Sequence, residues 1–301
     1  MISQIKKSKN TEEILDKYRA AGLIHHQVMA DAREKIKTGL SLYEYAVYID
    51  RRIIELGGQS AFPVNISLNA DAAHDTPLFE DTRVFGNDVV KVDVGVHVDG
   101  YIADGAMTID LSGKNAALVK ASEEALKAAI DTAKAGIGTN QIGAAIEDMI
   151  TALGFSPIRN LMGHGLSQYT THAEPSIPNC RFSREVILNA GDTIAIEPFA
   201  TDGMGYVDNG SIKEIYSRIS KKSTRLPIVR KVLDQIDAYH GLPFAKRWLT
   251  SEKLDFSLNQ LEREGILTSY PVLVEVAGGL VSQAEHTLII TEDGCEVTTK
   301  M

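Results

Sequence analysis

Cysteine is nearly absent from this sequence: Cys180 and Cys295 are the only two in 301 residues. That scarcity excludes a disulfide framework and a metal site built on thiolates alone, and it points to a reducing compartment. No apolar run reaches 18 residues, so no membrane-spanning helix is expected. The opening residues, MISQIKKSKNTEE, have no apolar stretch of the kind found in secretory signals, and a cytoplasmic location is expected. Basic charge is in short supply as well. Lys and Arg number 31 against 40 Asp and Glu, a net charge of −9, which argues against a general nucleic-acid binder.

What is present is ordinary for a globular chain. Hydrophobic residues make up 44% of it, enough over this length to bury a core without staples, as one large α/β domain or two ordinary ones. Charge is unevenly spread. From Tyr206 to Tyr270 there are 11 Lys and Arg against 8 Asp and Glu, and Arg218, Lys221, Lys222, Arg225, Arg230 and Lys231 follow one another with no acid between them. A solvated basic face is the simplest reading of that run.

Thr11-Glu12-Glu13 reads as a helix start, with Ile14, Tyr18, Ala21, Ile24 and Val28 at helical spacing and Gly39 as the stop. Ser41 with Glu44 resembles a capping box for a second helix running to Gly57-Gly58. Residues 61–77 are turn-rich and without a period. The β-branched run Asp88 to Val98, the Asp99-Gly100 turn and Tyr101 to Ile109 predict a hairpin. Two helices are expected over 115–135 and 139–153, then extended segments over 181–188 and 192–199. Sliding the sequence by 104 lays DTIAIEPFA over DVVKVDVGV, so that Glu197 falls on Asp93, and an Asp-Gly follows each strand. The echo suggests two similar α/β halves, each contributing a carboxylate at an equivalent place. Residues 206–270 read as an inserted helical subdomain, with amphipathic helices over 226–239 and 254–264, inside a body made of 1–205 and 271–301.

The hairpin carries chemistry. A two-residue turn at 99–100 sets Gly95 opposite Asp104, so Asp93 and Asp104 project from one face as diagonal neighbours. Two carboxylates that close repel unless a proton or cation lies between them, and both sit in strands that read as buried. A pair of metal ions would resolve the conflict; hydrogen bonds to turn amides are the alternative that the pair alone leaves open. Glu197 in AIEPFA, Glu285 in QAEHTLII, His164 between Gly163 and Gly165, His172 and His74 are the remaining candidates. A ligand set of carboxylates with one imidazole suits Mn²⁺ or Fe²⁺ better than a structural zinc site.

The ordered series Asp93, Asp104, His164, Glu197, Glu285 resembles the five metal ligands of the methionine aminopeptidase family, with the Asp-x10-Asp, Gly-His-Gly, Ile-Glu-Pro and Glu-His-Thr contexts in place. The match extends over nearly the whole chain. The insert resembles that of type II members, and the short N-terminus the archaeal-type form. The resemblance implies an α/β (α+β) pita-bread fold, two pseudo-symmetric halves around a curved antiparallel sheet. It also implies two divalent ions (Mn, Fe, Co or Zn) and removal of the initiator methionine from peptides and nascent chains, preferably before small residues. In such enzymes a metal-bridging hydroxide attacks the scissile carbonyl, with Asp93 on one ion, Asp104 and Glu285 bridging, and His164 and Glu197 completing the other. Glu197 would shuttle the proton, His172 would stabilise the oxyanion, His74 would contact the scissile amide, and Phe62 would wall the methionine pocket. The family leans to monomers. An Xaa-Pro peptidase of the same fold, and a binding protein that kept the fold without metals, are the rival readings. The basic run Arg218 to Lys231 offers a face for ribosome contact; neither a membrane nor a specific nucleic acid is expected as partner.

Overall fold

The computed structural model describes residues 2–300, with side chains from residue 12 onward. Helix α1 spans Ile2–Lys35 and α2 spans Leu42–Glu55. The first helix therefore runs through Thr11, where the sequence predicts a start. Residues 2–10 contain no Gly or Pro, and nothing in them stops a helix from propagating. Ser41 caps α2 as predicted, its hydroxyl accepting from the Glu44 amide at 3.3 Å. One face of α2, with Leu42, Tyr45, Ala46, Ile49 and Ile53, is buried against Val28, Val92, Val94 and Val96.

Strand β1 (Gln59–Ser60) precedes the stretch that reads as irregular, and short strands β2 (Asn65–Leu68) and β3 (Asp71–Ala73) lie within it. They are too short for a period to show in sequence. Strands β4 (Val89–Val98) and β5 (Tyr101–Asp110) form the expected hairpin, paired from Val89↔Asp110 to Val98↔Tyr101, with Gly95 opposite Asp104. Asp99 and Gly100 have φ of 52° and 84°, the left-handed pair that matches the strand twist. Helices α3 (Ala116–Thr132) and α4 (Thr139–Ala152) follow. Next come β6 (Ser156–Pro157), β7 (Met162–Ser167), β8 (Thr170–Pro178), β9 (Thr193–Ile196) and β10 (Phe199–Thr201). The expected extended segment over 181–188 forms no strand; besides an isolated bridge from Ile187 to Gly138 it is tied down by backbone bonds of Val186 and Leu188 to residues 136–139 and by Arg181 to Glu147 and Asp148. The Asp202-Gly203 pair closes no hairpin either. It releases the chain from β10 into β11 (Val207–Arg218), which belongs to a different sheet.

Within 206–270 the helices α5 (Pro227–Ile236) and α6 (Leu254–Arg263) are present. The segment also holds the twelve-residue β11 and the short β12 (Phe244–Ala245), so it is not helical throughout. The polar run VDNGSIKEIYSR hides a strand that is formed by its pairing with β13 (Leu267–Glu275). Val229, Val232, Leu233, Phe244, Leu258 and Leu261 form a local core here. Of the basic run, Arg218 pairs with Asp237 and donates to the Ser220 carbonyl, and Arg230 donates to the Thr224 carbonyl. Lys221, Lys222, Arg225 and Lys231 remain exposed. Strands β14 (Val281–Gln283), β15 (His286–Ile290) and β16 (Cys295–Val297) complete the chain.

Strand pairing is antiparallel throughout. One sheet centres on β4, flanked by β1, β2 and β5; another runs β16-β15-β9-β7-β8. Helices α1 and α2 cover the first, while α3 and α4 bury Leu118, Ala125, Ile142, Ile146 and Ile150 against Ile194, Ile196 and Leu288 of the second. The two sheets are stitched where β5 meets the start of β15. Ala106 and Glu285 exchange backbone hydrogen bonds of 3.4 and 3.0 Å. The Thr287 hydroxyl accepts from the Asp104 amide and donates to the Asp104 carbonyl, each at 2.8 Å.

Candidate metal centre

That seam decides where the acids meet. Ala106 lies opposite Asp93 in the hairpin and opposite Glu285 across the seam, so Asp93, Ala106 and Glu285 form a row across three strands. Side chains in such a row share a face, and Asp104, two residues from Ala106, shares it too. His164 comes from β7, held between glycines that cannot be anything else. A Cβ on Gly163 would stand 2.3 Å from the Ala195 carbonyl oxygen, and one on Gly165 would stand 2.2 Å from that of Glu174. Glu197 sits at the break between β9 and β10, its carbonyl accepting from the Asn179 amide at 3.0 Å.

All eight residues singled out in the sequence line one cavity of about 200 Å³: Phe62, His74, Asp93, Asp104, His164, His172, Glu197 and Glu285. Donor atoms of Asp104, His164 and Glu285 lie within 4.8 Å of one another. His164 Nε2 is 3.5 Å from Glu197 and 3.8 Å from Asp104. On the far side Gln283 donates to Asp93 at 3.3 Å and to Glu285 at 3.2 Å. Gln283 was not expected from sequence. It is a polar residue in the strand that precedes Glu285, and its role depends on the fold.

Four carboxylates are thus gathered with no Lys or Arg paired to any of them among the described residues. Asp93 Oδ1 and Asp104 Oδ1 are buried and lack any hydrogen-bond partner. Burial drives the Asp93 pKa up to about 7. Asp104, Glu197 and Glu285 are pushed well above the carboxylate range, by burial first and by one another's charge second. Orphaned carboxylate oxygens of this kind are what a divalent cation satisfies. The histidine is prepared for the same task. His164 Nδ1 donates to the Gly165 carbonyl at 3.2 Å, which leaves the Nε2 lone pair facing the acids, and burial lowers its pKa to about 3 so that it stays neutral.

The remaining walls have other chemistry. His172 stands edge-on to His164, ring centroids 4.5 Å apart, on the exposed side of the cavity. His74 adopts φ 66° and donates from Nδ1 to the Pro271 carbonyl at 3.2 Å, so its Nε2 is a free acceptor; burial lowers its pKa to about 4. Tyr270, also missed in the sequence, packs edge-on against that ring. Phe62 lies over Gly95, where a Cβ would come within 2.2 Å of the ring, so the glycine in β4 makes room for it. Leu161, Met162, Ile215, Pro243 and Leu273 add apolar wall.

The model of metallopeptidase family M24 matches residues 16–292. The methionine aminopeptidase of Archaeoglobus fulgidus is 50% identical over 291 residues, covering 96% of this chain and 99% of that protein. Among solved structures, a thermophilic Arx1 superposes with a TM-score of 0.85 at 17% identity, covering 95% of this chain and 90% of that one. The Thermotoga maritima methionine aminopeptidase superposes with a TM-score of 0.72 at 24% identity, covering 96% and 97%.

Proposed function

This chain belongs to metallopeptidase family M24 and, within it, to the methionine aminopeptidases, and from that premise we propose how its cavity works. The fold is the pita-bread fold; membership of a metallopeptidase family implies the use of divalent metal, and the cavity offers a candidate site for it. The observation that carries the site assignment is the cluster of four acids around a neutral His164, none of them paired with a Lys or Arg among the described residues. The five donors Asp93, Asp104, His164, Glu197 and Glu285 would hold two divalent ions; Gln283 links Asp93 to Glu285, and His164 stands beside Asp104 and Glu197. Such ions supply a water ionised near neutral pH and a Lewis acid for the carbonyl.

The chain's own groups do the rest. Glu197, a carboxylate of the cluster beside His164, takes a proton from the attacking water and returns it to the departing amine. His172 donates to the oxygen on which charge develops. His74 accepts, through Nε2, from the N–H of the scissile amide. Phe62 with the neighbouring apolar wall receives the methionine side chain. Small second residues fit best beside so tight a cavity. Residues 206–270 form an inserted subdomain on this reading, supported by the separate core around Val232 and Leu261; β13 crosses residue 270 and ties the insert to β3.

Metal-loaded protein is expected to release methionine from a Met-Gly-Ser peptide and to leave an Ala-Pro peptide intact. Cleavage of the proline peptide instead would place the chain among Xaa-Pro peptidases.

A further inference from the structure

Two residues after His74 the chain is held by a residue that touches neither the four acids nor the cavity. Arg247, in the insert, has only 3% of its side chain exposed and donates from Nη2 to Asp50 on α2 at 2.8 Å. Trp248 donates from its indole nitrogen to the same Asp50 oxygen at 2.9 Å. The other arm of Arg247, Nη1, donates to the Thr76 hydroxyl and, at 3.4 Å, to the Pro77 carbonyl. Thr76 in turn donates to the Val64 carbonyl at 2.8 Å and is fully buried. Two residues earlier is His74, in a left-handed conformation that a non-glycine residue holds only where its surroundings fix it. The intervening Asp75 is gripped by Arg83 with bonds of 2.6 and 3.0 Å, and its carbonyl accepts from Ile66 at 2.7 Å.

We infer that Arg247 is a positioning residue for His74: the insert, through the guanidinium spanning Asp50 and Thr76, sets the His74 backbone and thereby aims its ring at the substrate amide. The planar fork suits this task, since two nitrogens in fixed geometry bond a carboxylate on one helix and a hydroxyl on a loop, where a lysine would present a single nitrogen on a flexible stem. The ring itself is met from the same quarter, by the Pro271 carbonyl and Tyr270 on β13. His74 is therefore set from the insert at its backbone, through Arg247, and at its ring from β13, where insert and body join. This inference rests on the role proposed for His74 above.

The test is a double-mutant cycle of Arg247→Met with His74→Ala, read as kcat and KM for Met-Gly-Ser. In the parent, Arg247→Met is expected to lower kcat about tenfold or more with KM little changed, as misplacement of a positioned group does. In the His74→Ala background the same change should cost less than about twofold, because the group it positions is gone. Arg247→Lys should recover only part of the loss. Equal losses in both backgrounds overturn the inference. If Arg247→Met does not fold, Thr76→Val is carried through the same cycle by the same criterion. The ring ¹⁵N–¹H spectrum of His74 judges placement without any peptide: Arg247→Met should move that signal, and an unmoved signal contradicts the inference whatever the protein cleaves.

Discussion

His172 is the one proposed catalytic side chain that is exposed and has no part in the metal donor set, which makes it the cleanest residue to remove. His172→Ala is expected to reduce kcat by about 10²–10³-fold, the usual loss for one donor to a developing oxyanion, while thermal midpoint and metal content stay near those of the parent. A kcat within a few-fold of the parent, measured at saturating peptide, would remove His172 from the mechanism. Residues of this kind differ in how legible they are. Asp93 and Asp104 can be placed on one face from the turn alone, because a two-residue hairpin leaves one register. His74 and His172 carry no such local sign, and their roles come only from resemblance to a family. Gln283 was not singled out and Thr287 figured only as part of the Glu-His-Thr context, because each acts through a hydrogen bond to a segment far along the chain, 190 residues away for Gln283 and Asp93 and 183 for Thr287 and Asp104.

Elements with strong periods were readable, and those made by long-range pairing were not. Helices α2, α4, α5 and α6 and the β4–β5 hairpin lie close to where apolar spacing and turn chemistry put them. Strands β2, β3 and β11 escaped, the first two for brevity and the last because its outward residues are polar along most of its length. The contact between β7 and β8 shows what the glycines of Gly-His-Gly are for. Gly165→Ala would drive a methyl group into the Glu174 carbonyl oxygen, which belongs to backbone and cannot swing aside. A loss of about 1–3 kcal/mol is expected from such overpacking, seen as a lower denaturation midpoint at unchanged slope, together with weaker metal retention as His164 shifts. An alanine variant of parental stability would mean that β8 yields, and that the glycine is not needed there.

At the scale of the whole molecule, a fold has closed around four acids that repel one another, and its stability without metal must depend on protons taking the cation's place. Asp93 titrates near 7 in the fold against an ordinary 3.8, and its three acidic neighbours are shifted upward as well. The metal-free fold thus binds more protons than the unfolded chain between those values. The contribution of these acids to stability accordingly falls as pH rises through that window. A divalent ion replaces the protons, so the stabilisation it confers should grow over the same range. Groups outside the site titrate alike with and without metal and cancel in the difference. The most direct measurement is the thermal midpoint of metal-stripped protein with and without Mn²⁺, at pH 6 and at pH 8. A rise on adding Mn²⁺ that is larger at pH 8, and that disappears in Asp104→Asn, is the expected result. A midpoint unmoved by Mn²⁺ at both pH values would contradict the assignment of this cavity as a metal centre.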